Sequence, residues 1–344
     1  MVCIQSLESK IVISRCKNFS TCRASIKLCS RYFSSSVSRS EAKKRRHDLF
    51  EAEKKSQRSA VGRIEKIKVL YNTHEDEVTM LMNKNLSTPH DCAKHISEGV
   101  ANLSALALVD GVPWDMHRPL PGPCELKLST MKTPLVPAVN NAFWRTCSFM
   151  LGAVIDNAFN DEVTCHLHSF TAPNIRSGSF VYDAQLDLPN WTPTASEMRV
   201  LSSEFTKFIQ QELPIDRLEV NEALALEMFQ DNPFKSKQIP DIAERSNQKV
   251  TLYRMGQHVD ISKGPMVANS GIVGRFTMTA IHKIQKEGLE MFRFQGIALP
   301  KGILVNHVMY GLLEKRAQKL NDITWMPRIT EQEHDEHIKV AAKN

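Results

Sequence analysis

Between residues 63 and 131, strand and helix signals follow one another so closely that only a compact α+β unit can hold them. "IEKIKVL" alternates apolar and polar residues as a half-buried strand does, and "VTMLMN" fits as its hairpin partner. Thr88-Pro89 then opens a helix through "HDCAKHISEGVA". The threonine serves as N-cap, and the proline stands at the first helical position, where a missing N–H costs nothing. "SALALVDG" reads as a buried strand closed by an Asp-Gly turn, and "CELKLST" as the last strand. Strand, strand, helix, strand, strand is the order of a β-grasp-like fold.

A proline-punctuated linker, "MKTPLVPAV", separates this unit from a longer one. A helix is expected from near Asn140, with Phe143, Cys147, Met150, Leu151, Val154 and Ala158 forming one buried stripe at helical spacing. "SSEFTKFIQQELPIDRLEVNEALALEMF" reads as an amphipathic helical pair belonging to the core. In "YRMGQHVDISKGPMVANSGIVGRF" a short apolar strand runs into Asp260 and a tight loop of Ser262, Lys263, Gly264, Pro265 and Met266. "ILVNHVMYGLLEKRAQKL" is expected to be a last helix before a polar tail.

The ends of the chain differ in composition. The first forty residues hold seven Lys/Arg and eleven Ser but one acid, Glu8. Basic, Ser-rich and amphipathic is the composition of a mitochondrial presequence, not of a secretory signal with its unbroken apolar segment. "RYFSSS" resembles a matrix-peptidase site, so the mature start is expected near Ser34. No apolar run approaches the roughly 20 residues of a membrane span, and a soluble chain is expected. Cys3, Cys16, Cys22 and Cys29 lie in the presequence, while Cys92, Cys124, Cys147 and Cys165 are scattered singly. No Cys-x-x-Cys occurs, which suits a reducing compartment such as the matrix.

Charge is also uneven. Residues 1–70 carry 17 Lys/Arg against 6 acids, and the rest carry 27 against 32. "SRSEAKKRRHDLFEAEKKSQRSAVGRIEKIK" is expected to be a helix of mixed sign leading into the first strand. Its Lys43, Lys44, Arg45, Arg46, Lys54, Lys55, Arg58, Arg63, Lys66 and Lys68 form a candidate RNA-contacting segment, the alternative being a solvated face. "CHLH" (Cys165, His166, His168) and "HDEH" (His334, His337) hold potential metal ligands. On a strand His166 and His168 share a face and Cys165 lies opposite, so no metal site is expected there. No Walker loop, Gly-x-Gly-x-x-Gly or Gly-x-Ser-x-Gly is present.

Several segments resemble one family. "LSTPHDCAKHIS" with "ALVDGVPWDMHRPLPGPCELKL" is similar to the TGS domain at the amino end of threonyl-tRNA synthetases. Thr88, Pro89, Ala93, Val109, Gly111, Trp114, Asp115, Arg118, Pro119 and Leu120 fall in that family's order and spacing. Trp114 and Arg118 are expected to pack and brace the domain. "FWRTCSFMLGAVI" resembles the start of the synthetase's second amino-terminal domain, which edits mischarged tRNA, with Trp144, Leu151 and Gly152 in register. "SGSFVYD", "NEALALEMFQDNPFK" and "RFQGIALP" carry the likeness on, over roughly residues 63–318.

The resemblance implies where the editing chemistry stood. The family's helix carries His-x-x-x-His and its loop Asp-x-Cys-Arg-Gly-Pro-His. Here the reactive positions hold Arg145, Phe149, Ser262 and Met266. Arg145 and Phe149, spaced i and i+4, are expected to point together at the loop. Arginine does not give up its proton, phenylalanine has no polar atom, methionine is a weak acceptor and serine a poor metal ligand. Only 44 residues follow Pro300, too few for the synthetase's adenylate-forming core and anticodon-binding domain. With all four positions changed, the module is expected to serve as a shape.

As a whole, through "MNKNLSTP", "ALVDGVPWDMHRPL", "FWR-x-C" and "ALEMFQ", the chain resembles the mitochondrial large-subunit ribosomal protein family numbered thirty-nine. That likeness implies an α+β architecture, a β-grasp TGS-like domain followed by an editing-like α+β domain. The expected divisions are a presequence (1–33), a basic helical extension (34–62), the TGS-like domain (63–132), the degenerate editing-like domain (138–318) and a polar tail (319–344). It further implies a non-catalytic structural constituent of the mitochondrial large ribosomal subunit, located in the matrix. Its partners would be large-subunit ribosomal RNA and neighbouring ribosomal proteins, with no cofactor, metal or small-molecule substrate. The competing readings are a free-standing tRNA deacylase and a tRNA-binding adaptor.

Overall fold

Helix α1 (Arg39–Ser59) begins at a capping box: Ser38 accepts from the Glu41 amide while the Glu41 carboxylate accepts from the Ser38 amide. The computed structural model describes residues 38–72, 77–132 and 137–322. The expected presequence and the "HDEH" cluster lie outside the described residues. The helix is of mixed sign, as expected, and buries Ala42, Arg46 and Phe50 on one side.

Strands β1 (Lys66–Asn72) and β2 (Glu77–Asn83) pair antiparallel. Ile67 and Val69 face the core while Lys66 and Lys68 face water, as the period of two requires. Helix α2 (Pro89–Ile96) starts at Thr88, which forms a capping box with Asp91. The single helix expected through "HDCAKHISEGVA" is in fact two. Ser97 takes an extended backbone, and its hydroxyl accepts from the Val100 amide to start α3 (Glu98–Leu103). A serine that can satisfy a free amide competes with helix continuation, and here it wins.

Strands β3 (Ser104–Val109) and β4 (Val112–Trp114) are joined by Asp110 and Gly111, at φ 50° and 78°. Two left-handed residues in succession are what a tight hairpin needs. Strand β5 (Cys124–Thr130) completes a five-stranded sheet ordered β2-β1-β5-β3-β4, with β1 and β5 parallel.

Helix α4 (Pro137–Ala158) starts before the expected Asn140. It is buried nearly all round, because Thr146, Phe149, Ala153 and Ile155 are enclosed as well as the expected stripe. Strands β6 (Cys165–Ser169) and β7 (Phe180–Leu186) follow, then α5 (Ala195–Gln210). The expected helical pair at 202–229 is interrupted by strand β8 (Ile215–Asn221) before α6 (Glu222–Met228). Pro214 stops the helix, and Ile215, Leu218 and Val220 turn inward from a strand that pairs along its whole length.

Helix α7 (Pro233–Glu244) is capped by Asn232, which accepts from the Phe234 and Lys235 amides. Strands β9 (Lys249–Met255) and β10 (His258–Ile261) make a three-stranded sheet with β8, ordered β10-β9-β8. The long hairpin of β11 (Val273–Lys286) and β12 (Leu289–Pro300) extends β7 and β6 into a four-stranded sheet, ordered β11-β12-β7-β6. Helix α8 (His307–Ala317) packs on that hairpin. One apolar core runs without a break from Ile67 in β1 through α4 to Ala298 in β12, so both sequence units share it. A smaller core around Phe50, Met228 and Val250 lies where α1 covers the three-stranded sheet.

Candidate functional site

The loop at residues 262–268 leads from β10 towards the long β11–β12 hairpin and is fixed from three sides. Gly264 has φ +71°, and a Cβ there would fall 1.7 Å from the Tyr253 hydroxyl, so only glycine fits. From the five-stranded unit, the Asp115 carboxylate accepts the Tyr253 hydroxyl (2.9 and 3.0 Å) and the Met266 amide (2.8 Å). Arg217 Nε of β8 lies 3.5 Å from Asp115 Oδ2. The Ala268 amide donates to the Ala105 carbonyl of β3, and His117 Nε2 lies 3.1 Å from the Ala268 carbonyl. From α4, the Thr146 hydroxyl accepts the Val267 amide at 3.0 Å.

Of the four expected positions, Arg145 reaches the loop directly, its Nη1 donating to the Pro265 carbonyl at 2.9 Å. Phe149, one turn on and fully buried, sets its ring 5.0 Å from that of His258 at the start of β10. Met266 is fully buried and Ser262 nearly so, with the Gly264 amide 3.4 Å from the serine oxygen. Arg145 thus meets the loop from α4, whereas Phe149, expected to point there with it, packs on β10 instead, because the next turn of α4 lies over that strand. Burial pushes the Asp115 carboxyl up, against the opposing influence of the Met266 amide, Arg217 and Tyr253.

Behind the loop lies a second polar group that the sequence reading did not single out. Asp260 is fully buried and takes Lys235 Nζ at 2.5 Å and the Tyr182 hydroxyl at 2.5 Å. Lys235 is itself buried, 3.4 Å from the Tyr182 oxygen. Burial works against the Asp260 charge, yet Lys235, His258 and Tyr182 outweigh it and hold the carboxyl below its ordinary value. The signal was in the sequence: Tyr182 belongs to "SGSFVYD", Lys235 to "DNPFK" and Asp260 to the loop motif. Gly152 of α4 makes room, since a Cβ there would meet Tyr182 Cε2 at 2.6 Å. The three segments are landmarks because they meet.

Trp114 and Arg118 pack as expected. The Arg118 guanidinium lies 3.6 Å from the Trp114 ring centre, and the indole N–H donates to the Arg118 carbonyl. Arg118 also stands 3.6 Å from Glu219 of β8, which ties the two units together. His166 and His168 both face Phe234, with ring centres 6.4 and 4.9 Å away. Burial pulls the His168 pKa down to about 4, helped by Lys286, so it stays neutral at ordinary pH. Among the described residues, no group of three His, Cys, Asp or Glu is placed to hold a metal. Cys92, Cys124, Cys147 and Cys165 are all free, and burial pushes the thiols of Cys92 and Cys165 up to about 12.

The basic segment divides in two. Lys43 bonds the Asp156 carbonyl and Asn157, Arg45 and Arg46 hold Asp231 at 2.7 and 2.6 Å, and Lys54 holds Asp216 at 2.9 Å. These four fasten α1 to the body. Lys44, Lys55, Arg58, Arg63, Lys66 and Lys68 are exposed. Lys66 reaches only the Asn83 amide oxygen, at 2.7 Å.

Residues 80–130 match the TGS domain family. The chain is 52% identical over 278 residues to the large ribosomal subunit protein mL39 of Drosophila melanogaster, covering 80% of this chain and 84% of that protein. It is 31% identical over 219 residues to the threonine–tRNA ligase of Thermotoga maritima, covering 62% of this chain but 32% of the ligase. The mitochondrial threonine–tRNA ligase 1 of Arabidopsis thaliana is 30% identical over 221 residues, 29% of its length. The chain thus spans about a third of the ligases it matches. Its class is that of α+β proteins with a TGS domain and a further region related to threonine–tRNA ligases. Within that class, the chain belongs to the large ribosomal subunit protein mL39 family.

Proposed function

We propose that this protein is a structural constituent of the mitochondrial large ribosomal subunit, acting in the matrix and catalysing no reaction of its own. The observation that carries the reading is the 52% identity, over most of both chains, to a large ribosomal subunit protein. Residues 63–132 correspond to a TGS-like β-grasp module and residues 138–318 to an editing-like module, preceded by a basic extension at 34–62 and followed by a polar tail at 319–344. In the second module Arg145, Phe149, Ser262 and Met266 stand where the editing chemistry would require imidazoles and a thiol. Their packing supports the reading: Arg145 donates to the Pro265 carbonyl, and Phe149 and Met266 are buried apolar side chains. The exposed cations of the basic segment, Lys44, Lys55, Arg58, Arg63, Lys66 and Lys68, contact ribosomal RNA phosphates. Neighbouring ribosomal proteins take other parts of the surface.

The test is sedimentation of a matrix lysate on a gradient, following the protein by immunoblot. Comigration with large-subunit RNA, resistant to high salt and abolished by nuclease, is expected. Migration as a free monomer or with tRNA-sized material would overturn the reading. Seryl-tRNA hydrolysis by the purified protein is expected to stay at the free-solution rate, and turnover above it would restore the deacylase.

A further inference from the structure

One helix is held firmly by one face and offers apolar side chains on the other. Tyr310 and Ala317 of α8 are fully buried against the hairpin of β11 and β12, with Ile297 and Leu299 beside them. The Tyr310 hydroxyl lies 3.0 Å from that of Thr277, and the Ala317 carbonyl accepts from the Thr279 hydroxyl and the Gln295 amide. Asn306 caps the helix start. Yet Leu304 is 96% exposed, Val308 59%, Met309 52% and Leu312 54%. Val308 and Leu312, four apart on the helix, share one face with Met309 beside them, and Leu304 lies in the segment that leads into the helix. Towards the helix end the exposed side chains become basic: Lys315, one turn on from Leu312, and Lys319, just past the helix, are both exposed, with Leu320 beside them.

Among the described residues of this segment, the acids do not balance these lysines. Residues 301–322 contain two acids, Glu314 and Asp322. Glu314 turns inward to accept the Thr277 hydroxyl at 2.8 Å. Lys301 is already paired with Glu212 at 2.7 Å. An ordered helix with an aliphatic half and a basic half, carrying no aromatic ring on the exposed stripe, is a specific kind of surface. Single-stranded RNA binds through stacking rings and cationic grooves, which an aliphatic stripe does not supply. A second copy pairing in parallel would set lysine against lysine, and in antiparallel would set lysine against leucine. Apolar area together with unbalanced charge fits a protein segment of opposite sign.

We propose that the outer face of α8, with the residues that flank it on either side, is a docking surface for another protein, through an amphipathic segment whose aliphatic residues cover Leu304, Val308 and Leu312 and whose Asp or Glu residues meet Lys315 and Lys319. The proposal goes beyond ribosomal membership, on which it relies only for the particle in which it is tested. Large-subunit particles carrying a photo-crosslinking phenylalanine analogue at Leu312 would first be checked on a gradient. Loss of the unirradiated chain from the particle there counts against the ribosomal reading, and the irradiation would then use whichever complex holds the chain.

Irradiation is expected to give one protein–protein product, mapped to an acidic amphipathic segment. The pair Lys315→Glu and Lys319→Glu is expected to lower its yield about tenfold or more. The melting curve of the purified variant should be unchanged, because both side chains are exposed. A crosslink to RNA, to a second copy or to residues 323–344 of the same chain would overturn the proposal. So would a partner segment without acids, an unaltered yield in the charge-reversed pair, or no crosslink at all.

Discussion

Single atoms decide much of the buried polar structure. The Gly152 Cα hydrogen faces Tyr182, and a methyl in its place would sit 2.6 Å from a ring carbon that itself cannot retreat, being fixed by Asp260. Gly152→Ala is therefore expected to cost about 1–3 kcal/mol through overpacking, although it raises helix propensity. Urea unfolding would measure it, and an unchanged midpoint would refute it. Asp183 offers a test by pH. It is buried and receives two bonds from Arg293 (2.8 and 2.9 Å) and one from Lys286 (2.9 Å). Burial raises its carboxyl, but Arg293 and Lys286 prevail and hold it below 3.8. A folded pKa below the unfolded one makes the contribution complete above about pH 4 and lost as pH falls through the folded value. Asp183→Asn leaves two cations facing an amide, so it is expected to cost about 3 kcal/mol at pH 7. The gap from the parent protein should narrow as pH drops below 4, and a constant gap from pH 7 to 3 would contradict the assignment.

At the scale of elements, α1 shows what a charge count hides. Ten basic residues at 43–68 read equally from the sequence, because charge patterning does not say which side chains meet an acid from elsewhere. The acids that take Arg45, Arg46 and Lys54 come from residues 231 and 216, far along the chain. Two effects should therefore separate. Arg46→Ala is expected to lower stability by about 1–2 kcal/mol, since it removes a nearly buried guanidinium from Asp231. Reversing Lys55, Arg58 and Lys68 to Glu should change stability by no more than about 0.5 kcal/mol for each substitution. It should instead release the protein from the subunit at lower salt. If the exposed set changes stability and not retention, the RNA contact is misplaced.

The same contrast runs through the other elements. The hairpin at Asp110-Gly111 was legible because the backbone there needs two left-handed residues, a local demand. The break at Ser97 and the strand at Ile215–Asn221 were not, since both resemble a continuing helix until capping and pairing partners are known. That Arg145 meets the loop followed from the family resemblance, not from spacing alone, which would have sent Phe149 there too, whereas the Asp260–Lys235–Tyr182 group joins three distant segments and needs the fold to bring it together.

For the whole molecule, the issue is whether two sequence units unfold as one. Asp115 of the first unit satisfies Tyr253 and Met266 of the second, Ala105 takes the Ala268 amide, and the apolar core passes between them uninterrupted. Such sharing favours a single cooperative transition over two independent ones. The chain carries its own probes in four tryptophans, with Trp114 in the first unit, Trp144 and Trp191 in the second, and Trp325 outside the described residues. Two single-tryptophan reporters, one keeping Trp114 and one keeping Trp191, are expected to lose their native fluorescence at the same urea concentration as the far-ultraviolet dichroism. Asp115→Ala strands a buried hydroxyl and a buried amide, each worth about 1–3 kcal/mol. That penalty falls on the junction alone, so the two reporters should then part, with the Trp114 transition coming first because the first unit is the shorter one and has less core of its own. Coincident transitions in the variant would mean that the continuous apolar core, and not Asp115, couples the units. Separate transitions already present in the parent chain would mean that the units merely touch.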